Sequence, residues 1–150
     1  MQLGLVHFNQ MLNPQRDQSE TKETIKEFQT FVERYPKSPL LPQVTQRLRE
    51  ARDRLSDQDV QVGNFYLSVR FYPGAEQRYR HVLEQDPEYT RKDALYFHLA
   101  ETLEKSEKKA EALPYYERLV NEYERSEYLE EARRRIDLLK EQLKAAQTGL

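Results

Sequence analysis

Apolar positions fall at helical spacing in every segment of this chain, and no sustained alternation of apolar and polar residues predicts a strand. The densest pattern runs from Asp59 to Pro87. Val62, Gly63 and Tyr66 follow Asp59, and Ala75, Tyr79, Val82 and Pro87 then succeed one another at spacings of four, three and five. Small residues at Gly63 and Ala75 let two antiparallel helices cross closely, while Tyr66, Tyr79 and Val82 interlock. Pro87 ends the second helix, because the residue before a proline is pushed out of the helical region. The pattern recurs in Tyr96, Leu99, Ala100 and Leu103, then in Ala112, Tyr116 and Leu119, with Glu124 in the place of the proline. Upstream, Thr24, Phe28, Phe31 and Pro36 repeat its second half.

This is the spacing of tetratricopeptide (TPR) repeats, from which only Asp59, where the pattern prefers Trp, and Val62, where it prefers Leu, depart. It predicts an all-α, TPR-like right-handed solenoid of antiparallel helix pairs with one long helix, about seven helices in all. Leu3, Gly4, His7, Phe8, Met11 and Leu12 form the face of a first helix, which Asn13 and Pro14 stop. Arg16, Asp17 and Gln18 open a polar insertion in the turn; Asp17, with Glu20 three residues on, caps a helix from near Gln18 to about Arg34. Val44, Leu48, Ala51, Leu55, Val62, Tyr66 and Val69 keep one phase, predicting a single long helix from near Pro42 to about Arg70. A turn at Tyr72, Pro73 and Gly74 leads to a helix over Ala75–Gln85. Thr90, with Asp93, caps a helix to about Lys105. Pro114, tolerable in a first turn, sets the next start near Ala110. Ser126 caps the last helix, whose stripe is Leu129, Ala132, Ile136, Leu139 and Leu143. The expected organisation is one domain over 1–150: a partial repeat with its insertion (1–36), the long helix plus a repeat (37–87), a repeat (88–124) and a capping helix (125–150).

Composition narrows the function. The chain has 150 residues, 37% hydrophobic and 33% charged, with a mean hydropathy of -0.98, which suits a thin helical stack with much exposed surface. A net charge of -2 with both signs interspersed points to neither nucleic acid nor an anionic membrane. Arg133, Arg134 and Arg135 spread around a helix and are flanked by acids. Glu130 with Arg134, Glu131 with Arg135, Glu101 with Lys105 and Glu104 with Lys108 are i,i+4 pairs, each worth roughly 0.2–0.5 kcal/mol. No apolar run approaches the ~20 residues of a membrane span, and no signal-peptide pattern is seen. Cysteine is absent, which excludes disulfides and thiol chemistry. His7, His81 and His98 are isolated and the four glycines form no phosphate-binding loop, so the sequence predicts no catalytic residues, no metal and no cofactor.

In a TPR stack the first helix of each repeat lines the concave groove. By phase, Asn64, Leu67 and Ser68 from one repeat and Phe97, Glu101 and Glu104 from the next face it, with Leu67 and Phe97 as apolar anchors; Phe97 alternatively packs between helices. Asn64 has no lysine at the matching position of the neighbouring helix, which disfavours a chaperone-tail carboxylate as ligand.

A more specific likeness lies between Arg16 and Val44, continuing to Pro87. Arg16-Asp17-Gln18, Phe28, Phe31, Tyr35-Pro36, Ser38 and Gly63-Asn64-Phe65-Tyr66 resemble the corresponding turn, helix, junction and long-helix segments of the BamD (ComL/YfiO) family of outer-membrane β-barrel assembly lipoproteins. The resemblance implies a non-enzymatic scaffold in the periplasm, at the inner face of the outer membrane, docking a periplasmic domain of the barrel-forming subunit mainly through its C-terminal repeats. Measured against that family the chain is expected to be N-terminally truncated, and to self-associate through Leu3, Val6, Phe8 and Met11. The alternative is a generic TPR adaptor, in the cytoplasm, for a peptide or helix of another partner.

Overall fold

The protein's structure, a computed structural model, describes residues 14–149. Among these residues it is all-helical and TPR-like, with helices α1 (Pro14–Arg34), α2 (Leu41–Ser68), α3 (Tyr72–Gln85), α4 (Lys92–Lys105), α5 (Lys109–Glu122) and α6 (Leu129–Thr148), and no strand. The helix expected over Leu3–Leu12, and its self-association, lie outside the described residues. Two compact units divide the chain, residues 1–58 and 59–150, with the boundary inside α2.

In the first unit, α1 begins at Pro14 rather than near Gln18, so Arg16, Asp17 and Gln18 are helical instead of forming a turn insertion. Proline is favoured at a helix start, where its missing N–H has no intrahelical partner to lose. The α1–α2 junction explains the Tyr-Pro-x-Ser sequence. Ser38 N–H donates to the Tyr35 carbonyl (3.1 Å), and Ser38 Oγ accepts the Leu40 N–H (3.1 Å), satisfying a donor at the entry to α2. The long helix is continuous, as its unbroken phase predicts.

The second unit holds the core: Ala75, Tyr79, Val82, Leu95, Tyr96, Leu99, Ala100, Leu103, Ala112, Tyr116, Leu119, Ala132 and Leu139 are all buried. α4 packs between α3 and α5, and α6 packs on α5. Gly63 is needed for the α2–α3 crossing, since a Cβ there would stand 2.7 Å from Cε1 of the buried Tyr79. Asp59, in the position the pattern gives to Trp, is buried as a carboxylate and accepts from Arg78 of α3 (3.0 Å).

α2 and α4 end alike. Arg70 and Glu107 adopt φ of 63° and 62°. Around them the Phe71 N–H reaches the Tyr66 carbonyl (2.8 Å) and the Lys108 N–H the Leu103 carbonyl (2.8 Å). These six-to-one bonds, with the Arg70–Leu67 and Glu107–Glu104 bonds inside them, are Schellman closures that satisfy the last carbonyls of each helix.

Several expected starts are corrected. α3 begins at Tyr72 with Pro73 in its first turn, and α4 is entered through Arg91 rather than a Thr90 cap. α5 begins at Lys109, which puts Pro114 in the second turn, where it forgoes one intrahelical bond. Ser126 stands before α6 and caps the turn leading into it, its Oγ accepting the Tyr128 N–H (3.1 Å) and donating to Asp93 of α4 (2.5 Å). Of the expected i,i+4 pairs, Glu101–Lys105 forms (3.6 Å). Glu130 and Glu131 instead meet Arg133 and Arg134, Arg135 crosses to Glu104, and Lys108 crosses to Glu76 of α3 (3.1 Å).

Candidate partner-binding face

Four of the six residues expected to line the groove belong to one connected set in the second unit. Phe97, on α4, is half-buried. Its ring stacks on Tyr128 at the entry to α6 (4.7 Å between centroids, 25° between planes) and meets Tyr116 of α5 edge-on (5.7 Å). His98 extends the set, stacking with Tyr79 of α3 (6.4 Å) and meeting Tyr128 edge-on (5.6 Å). One turn along α4, Glu101 lies 3.5 Å from His98 Nδ1 and 3.6 Å from Lys105 Nζ. The His98 hydrogen bond, against burial and with help from Lys105, holds the Glu101 carboxyl below its ordinary value.

Two of the core tyrosines, Tyr79 and Tyr116, bring their hydroxyls to this face. The Tyr79 hydroxyl donates to Asn64 Oδ1 (2.5 Å), and the Tyr116 hydroxyl to Glu104 Oε1 (2.9 Å). Burial, and then the charge of Glu101, raises both hydroxyls well above the ordinary tyrosine value, so they remain donors. The difference in acceptor follows from the repeat. Leu67 holds in its repeat the position of Glu104 in the next, twelve residues before the tyrosine. A leucine cannot accept, so Tyr79 turns to Asn64. Glu104 is also held by Arg135 of α6, which joins α4 to the last helix.

Leu67 is partly buried against the core, and Ser68 spends its hydroxyl on the Phe65 carbonyl of its own helix (2.6 Å). Arg16, Asp17 and Gln18 belong to α1, in the other unit. Sequence reasoning missed His98, Tyr128 and Arg135. His98 stands three residues before Glu101 on one helix, a spacing that marks a contact; nothing local marks Tyr128 or Arg135, whose partners are 31 residues away in sequence. Among the described residues no cluster of three His, Asp or Glu side chains could hold a metal ion, and no helix is long and apolar enough to cross a membrane.

No curated protein matches the chain. A protein-family model described as YfiO, outer membrane lipoprotein, matches residues 2–111. That match takes in most of the chain, including the junction, the long helix and the Asp59–Pro87 repeat, and it agrees with the TPR-like helices: the chain belongs to the YfiO family of outer-membrane lipoproteins.

Proposed function

We propose that the protein is a non-enzymatic scaffold of outer-membrane β-barrel assembly, working on the periplasmic side. On this reading it docks a periplasmic domain of the barrel-forming subunit on the face built from Asn64, Leu67, Ser68, Phe97, Glu101 and Glu104. Family membership supports a role in outer-membrane protein assembly at the level of the family. The observation that carries the docking face is the Phe97–Tyr128 stack with its Tyr116 and His98 neighbours. Aromatic groups held rigid by one another and flanked by charge are the composition of interface hot spots.

The test is calorimetric titration of the folded chain with that periplasmic domain. Phe97→Leu keeps apolar volume and is expected to fold, while weakening binding by about 2 kcal/mol, as loss of an aromatic anchor does. Phe97→Ala removes the stack altogether and is expected to cost stability as well, by about 3 kcal/mol. A folded wild type that does not bind the domain would reject the proposal in favour of a TPR adaptor for another partner.

A further inference from the structure

We infer that the α2–α3 turn carries a second docking surface, for a protein segment that presents a carboxylate beside apolar side chains. Phe65, Val69 and Phe71 are 44%, 55% and 52% exposed, within seven residues of chain. Such grouped exposure on a helix end and its turn differs from the scattered single apolar residues of an ordinary surface. The patch is held rigid. Phe71 meets Tyr66 edge-on (5.3 Å between centroids) and lies so close over Gly74 that a Cβ there would be 2.7 Å from its ring, while the Schellman bonds fix the backbone on either side of Arg70. A surface ordered before binding loses little entropy on docking.

Arg70 sets the chemistry of the occupant. It is exposed between Val69 and Phe71 and forms no ion pair with any described residue. It also occupies a left-handed position, which glycine adopts without strain. A guanidinium with no ion-pair partner among the described residues, flanked by exposed apolar groups, complements a carboxylate with apolar neighbours. A second copy of the chain is the poorer occupant, because a two-fold contact would set one Arg70 against the other.

The inference goes beyond the docking proposed above and stands if that partner is wrong. Random twelve-residue peptides displayed on phage would be selected on the full chain, and the winners titrated by fluorescence polarisation against wild type, Arg70→Gly and Phe65→Ser. Winners are expected to carry Asp or Glu beside Leu or Phe. Arg70→Gly, whose backbone suits the turn and which should fold, should weaken them by at least about ten-fold, as should Gln in place of the peptide's acid. Recovery of no such peptide, equal binding to Arg70→Gly, or a dimer in sedimentation that Phe65→Ser abolishes would each overturn it.

Discussion

At Gly63 a single hydrogen in place of a methyl decides how closely two helices approach. Tyr79 cannot yield to a Cβ there, because its ring is fully buried and its hydroxyl is tied to Asn64. Gly63→Ala is therefore expected to destabilise the protein by about 1–3 kcal/mol, measured by urea unfolding, despite alanine's higher helix propensity. The opposite exchange is favourable at Glu107, whose φ of 62° places an L side chain in the left-handed region. Glu107→Gly should raise stability by about 1 kcal/mol, since the Glu107 side chain is exposed and its contact with Lys109, at 3.7 Å, is a surface ion pair. An unchanged or lower unfolding midpoint would show that the Schellman turn needs more than its backbone.

Helix identity was legible from apolar phase; helix starts were not. Val44 to Val69 keep one phase without Gly or Pro between Gln43 and Val62, and α2 runs unbroken over Leu41–Ser68. Leu55→Pro within it should cost about 3 kcal/mol or more, read as a drop in Tm. The starts escape apolar phase because proline or backbone turns, rather than side-chain caps, open these helices. Asp17 has the spacing of a cap but lies inside a helix that already includes Pro14, and Thr90 yields to Arg91. Pro114 misled in the same way, since the packing of Ala112, Tyr116 and Leu119 outweighs the bond the proline forgoes. Pro114→Ala should restore that bond and stabilise α5 by up to about 3 kcal/mol, which thermal denaturation would report. The candidate face was half legible for a related reason: phase assigns a side of a helix, whereas Tyr128 and Arg135 arrive from the next element.

Across the second unit, ion pairs tie separate elements: Asp59 of α2 to Arg78 of α3, Glu76 of α3 to Lys108 ahead of α5, and Glu104 of α4 to Arg135 of α6. Glu101 adds a pH dependence whose sign is fixed. Its carboxyl is lowered from 4.5 by the His98 hydrogen bond, so the stability it confers is present above that value and is lost as pH falls through the lower folded one. Tm should decline below about pH 4.5, and Glu101→Gln should flatten the decline; an identical acid limb in the variant would place the linkage elsewhere. The divided loyalty of Tyr79 and Tyr116 reaches further, into how such a chain can diverge. Each hydroxyl must be answered, but the repeat leaves open which neighbour answers it. Where position 67 is leucine, Asn64 is engaged; where the equivalent position is Glu104, the residue at Asn64's place, Glu101, is released to other partners. One interior obligation, met by either of two surface residues, lets a lineage change what a repeat displays to its neighbours while the fold beneath stays the same.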